Sequence, residues 1–172
     1  MKRLSPIAVV FALLAAGCSN NNSPTPTTPT NPTFTAALSP ANEVPPITNA
    51  ESTVSGNATI TMVVTRDAAN NITAASVTFV VNLTGFPAGS SVNIAHIHEG
   101  AATCACPVVV NTSLAAGEVT ITNGVASFTK ANITVLPEVA QRILTNPAGF
   151  YFNVHTTLNG GGVARGTLNR VS

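Results

Sequence analysis

Residues 52–83 read STVSGNATITMVVTRDAANNITAASVTFVVNL, and this stretch decides the fold. In its first half the even positions carry apolar side chains, and the odd positions are mostly Ser, Asn and Thr; the even set is Val54, Ala58, Ile60, Met62 and Val64. This alternation predicts a half-buried strand. Turn-forming residues fill Asp67 to Asn71, and Ile72 to Leu83 is a second β-branched run. The two runs therefore predict a long antiparallel hairpin.

Similar short apolar runs continue to the end of the chain. Strands are predicted at Val92–His98, Glu118–Thr122, Val125–Thr129, Phe150–Thr156 and Ala164–Arg170. The Asn123-Gly124 dipeptide between two of them is typical of a type I′ hairpin turn, which needs positive φ at both residues. Many short strands separated by turn signals predict an all-β fold, an antiparallel Greek-key sandwich or barrel.

One segment departs from the strand pattern. Residues 137–145 begin with proline and carry apolar residues at helical spacing, and Glu138 and Arg142 stand four apart. Proline is favoured in the first helical turn, and opposite charges at this spacing support a helix. We expect one short helix here, with an ion pair between Glu138 and Arg142.

The first seventeen residues resemble a lipoprotein signal peptide. Lys2 and Arg3 precede an apolar stretch too short to span a membrane. Leu14-Ala15-Ala16-Gly17-Cys18 is similar to a bacterial lipobox, in which the cysteine receives a diacylglycerol and then palmitate. An ordinary secretory signal is the alternative. We expect Cys18 to anchor an exported protein in the outer membrane or at the cell surface of a bacterium.

Composition divides the remaining chain into a tether and a single domain. Residues 18–33 are mostly Ser, Asn, Thr and Pro, with nothing apolar to bury, and residues 34–172 have the length of one domain. Without Lys2 and Arg3 the chain keeps five basic and six acidic residues. This balance leaves no basic surface for a phosphate backbone, so nucleic-acid binding is not expected.

The three histidines carry the most informative chemistry. His96 and His98 stand two apart on a predicted strand and therefore project from one face, and His155 lies on another strand. Imidazoles in this arrangement suit Cu or Zn. Two alternatives remain open: a framework role, with hydrogen bonds to Asn153, Thr156 or the backbone, and a catalytic histidine.

Cys104 and Cys106 would be the two cysteines left after lipidation. In an exported protein they are expected to oxidise, although a disulfide across one intervening residue needs a local turn. Free thiols, or thiolate ligands completing a tetrahedral site with the histidines, are the alternatives.

Three motifs together resemble the CHRD domain, named after chordin and also found in exported bacterial proteins. They are Ala37 to Pro46, Ala95-His96-Ile97-His98, and Tyr151 to Thr156 followed by Ala164 to Leu168. The resemblance implies an extracellular β-rich module without an established catalytic activity. The chain departs from the family pattern where it has Val163, since a carboxylate is expected two residues before Arg165.

Four further residues are candidates to support the histidines. Arg165 could meet an anionic ligand or the carboxylate of Glu43 or Glu99, and a solvated or salt-bridged strand arginine is the alternative. Glu99 could orient His98, although on a strand it would more simply point to the opposite face, and Asn153 could bind a histidine. Our leading hypothesis is a non-enzymatic, lipid-anchored envelope domain that serves binding, adhesion or structure, with an unidentified extracellular or periplasmic protein or ligand as partner. The alternative is a Cu- or Zn-binding envelope protein, and a metal-dependent redox enzyme is a distant third.

Overall fold

A computed structural model describes residues 31–172 of the chain. The predicted signal peptide, Cys18 and the tether up to residue 30 lie outside the described residues. Ten strands follow in chain order: β1 (Thr33–Leu38), β2 (Ser55–Arg66), β3 (Ile72–Thr84), β4 (Val92–Glu99), β5 (Val108–Asn111), β6 (Ile121–Thr122), β7 (Val125–Val135), β8 (Phe150–Thr156), β9 (Ala164–Thr167) and β10 (Asn169–Arg170). One α-helix, α1 (Pro137–Thr145), lies between β7 and β8.

The strands form two antiparallel sheets. The first has the order β10-β1-β2-β3-β7-β6, and the second has the order β5-β4-β8-β9. Because residues 31–172 hold two open sheets rather than a closed barrel, the structure confirms the sandwich among the predicted alternatives.

The long hairpin predicted from residues 52–83 is the centre of the first sheet. β2 and β3 pair from Ser55↔Thr84 to Arg66↔Ile72, and a bulge near Arg66 ends the regular register. Asp67 closes the turn, since its carboxylate accepts hydrogen bonds from the backbone N–H groups of Ala69 and Asn71. The even-numbered side chains of β2 that the alternation assigned to the interior are buried from Ala58 to Met62.

The core lies between the two sheets. Phe79 of β3 stacks on Phe152 of β8 with ring centroids 5.5 Å apart, and both side chains are fully buried. Helix α1 packs against β3 and adds Val139, Ala140 and Ile143 to the same core. No helix among the described residues is long and apolar enough to cross a bilayer.

Three local predictions need correction. Arg142 does not pair with the Glu138 carboxylate: its guanidinium binds Glu99 at 2.7 and 2.9 Å and reaches only the backbone carbonyl of Glu138. The predicted strand at residues 164–170 is broken at the buried Leu168, and its second half, β10, joins the first sheet. β1 and β5 were not among the predicted strands.

The stacked rings of Phe79 and Phe152 should contribute strongly to the stability of the domain. Replacing Phe79 with Ala should lower the free energy of unfolding by about 3–5 kcal/mol, because a fully buried aromatic ring is lost and a cavity remains. Chemical denaturation measures this change. Val80→Ala is the control on the same strand: its side chain is 41% exposed, and it should shift stability by less than about 0.5 kcal/mol. Equal losses of unfolding free energy in the two variants would contradict the burial of Phe79 between the two sheets.

Candidate functional site

The second sheet is covered on both faces. Core side chains of β4 and β8, such as Ala95, Ile97 and Phe152, face the first sheet, and the alternate residues face the other way. This other face carries an array of polar and aromatic side chains, which we call the polar array: His96 and His98 from β4, Tyr151, Asn153 and His155 from β8, and Arg165 from β9. All six are buried, so loops rather than solvent lie over them.

The structure brings all three histidines together. The Nε2 atoms of His96 and His155 are 2.8 Å apart, and one ring nitrogen from each of the three residues lies within 4.8 Å of the others. The rings of His96 and His98 meet edge to face with centroids 4.5 Å apart. The pairing of β4 with β8 brings His155 next to His96 and His98, so that three imidazole nitrogens lie within reach of a single ion.

Backbone carbonyls select the tautomer of two of these histidines. The Nδ1–H of His98 donates to the carbonyl of Cys106, and the Nδ1–H of His155 donates to the carbonyl of Gly160 at 3.0 Å. A neutral imidazole has one N–H, so both rings keep a free lone pair at Nε2. His96 is then the donor in the 2.8 Å contact with His155. The Nε2 atom of His98 is buried and has no partner in residues 31–172.

Burial keeps the three imidazoles neutral. Desolvation, together with the neighbouring rings of His155 and His98, lowers the pKa of His96 to about 3. Desolvation also lowers the pKa of His98 and of His155, against the opposing effect of their carbonyl partners. Neutral imidazole is the form that binds metal ions, so protons do not compete for this cluster near pH 7.

A stack of three side chains extends from the cluster. The ring of His98 lies parallel to that of Tyr151 with centroids 4.5 Å apart, and the guanidinium of Arg165 sits 4.8 Å from the centre of the Tyr151 ring. Glu43, one of the candidate partners of Arg165, pairs with it at 2.6 and 2.7 Å, and both side chains are buried. Burial raises the pKa of Glu43, although the Arg165 charge opposes this.

The cysteine loop covers the array from one side. Cys104 and Cys106 form a disulfide with Cα atoms 5.3 Å apart, in a loop that turns between Ala101 and Cys104. Tyr151 donates to the Cys104 carbonyl at 2.9 Å and accepts from the Cys106 N–H at 3.1 Å, and Arg165 donates to the Cys104 carbonyl at 2.8 Å. The loop therefore contacts the array through its backbone.

Glu99 and Asn153 do not bind the histidines. The exposed carboxylate of Glu99 is bound to Arg142 on the side of β4 away from the array, which is the simpler of its two placements, so it does not orient His98. Asn153 is buried beside the cluster, but within the described part of the chain neither its Nδ2 nor its Oδ1 atom has a hydrogen-bond partner. The sequence assigns no role to Tyr151, although its spacing from Asn153 and His155 places it on their face of the strand.

The chain thus forms a two-sheet β-domain with a buried polar array on the outer face of its second sheet. The family model of the CHRD domain matches residues 34–168. The chain therefore belongs to the CHRD-domain family, as its three motifs indicated. A search of curated proteins finds no match.

The lowered pKa of His96 predicts how stability depends on pH. In the unfolded chain His96 should titrate near 6.5, so the unfolded state takes up a proton below that pH while the folded state does not until about pH 3. Between pH 7 and pH 5 the metal-free protein should therefore lose about 2 kcal/mol of stability through His96 alone.

Chelator-treated protein, unfolded by denaturant at several pH values, tests this. His96→Gln is the comparison, because the difference between the two chains isolates His96 from carboxylates that titrate nearby. The same pH dependence in both chains would show that His96 titrates normally in the fold.

Proposed function

We propose that this CHRD domain is a binding module that holds one Cu or Zn ion on His96, His98 and His155. The observation that carries the proposal is the Nε2 atom of His98. It is buried and finds no partner among residues 31–172, next to the two rings whose Nε2 atoms are paired. Leaving a buried nitrogen unpaired costs about 1–3 kcal/mol. The framework alternative explains the hydrogen bond between His96 and His155 but not this atom.

The surroundings of the cluster support an ion held by three neutral nitrogens. Two backbone carbonyls fix His98 and His155 with their Nε2 lone pairs free, as is common for metal-binding histidines. Ligands on one tetrahedral Zn ion lie about 3.3 Å apart, so the 2.8 Å contact must open by about half an ångström. The Arg165 charge disfavours positive charge on His98 and His155, and its ion pair with Glu43 places a compensating carboxylate beside it.

Binding rather than catalysis is the proposed role. Each imidazole is less than a tenth exposed, whereas a catalytic ion keeps an open position for substrate. The disulfide removes both cysteine thiolates from the donor set. Imidazole nitrogens suit both copper and zinc, so either ion fits the donors present.

Metal titration tests the proposal. The tagless mature chain should bind one Zn(II) or Cu(I) ion with a dissociation constant below micromolar, and His155→Gln should weaken that affinity by at least about 100-fold, since removing a ligand costs more than removing its hydrogen-bond partner. Calorimetry and competition with a chelator of known affinity measure both.

Glu99→Gln is the matched control, because Glu99 lies on the strand of His96 and His98 but outside the array. Binding no tighter than micromolar for every ion, or equal affinity in the histidine variant and the control, would leave the framework role as the explanation of the cluster.

We further propose that the domain is lipid-anchored in the envelope of a bacterium through Cys18. The lipobox-like sequence before Cys18 and the apolar stretch behind Lys2 and Arg3 support this. In a bacterial host the full-length chain should incorporate labelled palmitate and sediment with membranes, and Cys18→Ala should do neither. Persistent labelling of the variant would contradict the anchor.

A further inference from the structure

Glu51 is a fully buried carboxylate in the segment between β1 and β2, and within residues 31–172 it forms no ion pair. Three side chains donate hydrogen bonds to it instead: Ser90 to Oε1 at 2.6 Å, and Thr156 and Asn159 to Oε2 at 2.5 and 2.6 Å. Burying a carboxylate is unfavourable unless donors replace the lost water, and these three donors do so. None of them belongs to the polar array. Glu51 therefore ties its own segment to the loop before β4 and to the turn after β8.

The hydrogen bonds of Glu51 fix the first residues of this turn. Thr156 ends β8, and its hydroxyl donates to Glu51 and accepts from the Asn159 N–H at 3.0 Å. The Asn159 carbonyl accepts from the N–H groups of Thr156 and Gly162 at 3.3 and 3.1 Å. Its side chain donates to Glu51 and accepts from the Asn49 amide at 2.8 Å. Asn159 is therefore held at its N–H, its carbonyl and its side chain.

The same turn carries the carbonyl that orients His155. Gly160 follows Asn159 directly, and its carbonyl accepts the His155 Nδ1–H at 3.0 Å. Cβ atoms placed on Gly160 and Gly161 would meet no heavy atom within 4 Å beyond the adjacent residues, so no packing fixes these two glycines. Glycine also restricts its own backbone less than any other residue. The position of the Gly160 carbonyl therefore depends on the anchored residue before it, which is Asn159.

We propose that Glu51 is a positioning residue for His155. Through Asn159 it holds the Gly160 carbonyl in place, and that carbonyl keeps the His155 proton on Nδ1 and the lone pair on Nε2. In the ion-free protein His96 donates to this lone pair, so the tautomers of both rings depend on Glu51. A metal ion on the cluster would use the same lone pair. The ion-bound part rests on the proposed function, and the ion-free part does not.

Two substitutions release the turn and two leave it in place. Glu51→Leu offers no acceptor to Thr156 and Asn159, and Thr156→Val, which keeps the shape of threonine, removes the hydroxyl between Glu51 and Asn159. We call these two the release variants. Glu51→Gln keeps a carbonyl oxygen for Thr156 and Asn159, while its amide donates to the Ser90 hydroxyl. Ser90→Ala removes a hydrogen bond from the other carboxylate oxygen only.

NMR of the ion-free protein tests the first part. Long-range proton–nitrogen spectra of the ¹⁵N-labelled mature chain, with Cys18→Ser to avoid lipidation, distinguish Nδ1–H from Nε2–H imidazoles. In the unsubstituted chain His155 should be Nδ1–H and His96 should be Nε2–H. In the release variants the Nε2–H form of His155 should appear together with the Nδ1–H form of His96, because only one of the two facing Nε2 atoms can donate.

His98 is the internal control in the same spectra. Its partner is the Cys106 carbonyl, which lies outside the turn, so it should stay Nδ1–H in every variant. Glu51→Gln and Ser90→Ala should give the spectrum of the unsubstituted chain. Unchanged tautomers of His155 in the release variants, or the same change in Ser90→Ala, overturn the proposal. Where Glu51→Leu does not fold, Thr156→Val decides, since it keeps the carboxylate.

Metal affinity tests the ion-bound part. Glu51→Leu should weaken Zn(II) binding by roughly 10-fold, the lower end of the effect of removing a group that orients a metal-binding histidine. Glu51→Gln and Ser90→Ala should bind Zn(II) as tightly as the unsubstituted chain. Equal affinities in Glu51→Leu and Ser90→Ala overturn the ion-bound part. A chain that binds no metal defeats the proposed function, while the tautomers of ion-free His155 and His96 still decide the role of Glu51.

Discussion

The buried ion pair between Glu43 and Arg165 connects the parts of the structure on which the candidate site depends. Glu43 belongs to the segment that follows β1, Arg165 belongs to β9, and the same guanidinium donates to the Cys104 carbonyl and lies on the Tyr151 ring. Breaking a buried pair leaves an uncompensated charge and typically costs about 3–5 kcal/mol. The pair therefore holds the segment after β1 and the Cys104 loop against the second sheet. Burial of the histidines under these segments is the main cause of their lowered pKa values.

Period-two patterns explain how much of the fold could be predicted. The β2–β3 hairpin follows directly from alternation, and the Asn123-Gly124 turn has the expected positive φ at both residues, 52° and 76°. β5 has only four residues, too few for alternation to show. β1 alternates as well, with Phe34, Ala36 and Leu38 buried, but the short run lies next to the proline-rich segment. The break at Leu168 depends on the contact between two sheets, which no local pattern contains.

In the candidate site, too, local strand geometry could be predicted and tertiary contacts could not. That His96 and His98 share a face follows from strand geometry, and parity likewise places Glu99 on the opposite face, where Arg142 binds it. The position of His155 required the pairing of β4 with β8 across almost sixty residues. The carbonyls of Cys106 and Gly160 that orient the rings belong to loops, and loop conformation is set by tertiary contacts that residue types alone do not specify.

The loop that carries the disulfide is hydrogen-bonded to the polar array through its backbone. Cys106 offers its carbonyl to His98 and its N–H to Tyr151, while the Cys104 carbonyl accepts from Tyr151 and Arg165. Gly100 packs against both sulfur atoms so closely that a Cβ there would overlap them. A change that opens the disulfide loop therefore also breaks the hydrogen bond from His98 Nδ1–H to the Cys106 carbonyl. That bond is what keeps the proton on Nδ1 and leaves Nε2 unprotonated. The two cysteines thus act on the array through their backbone, because the Cys106 carbonyl orients His98 and the Cys104 carbonyl accepts from Tyr151 and Arg165.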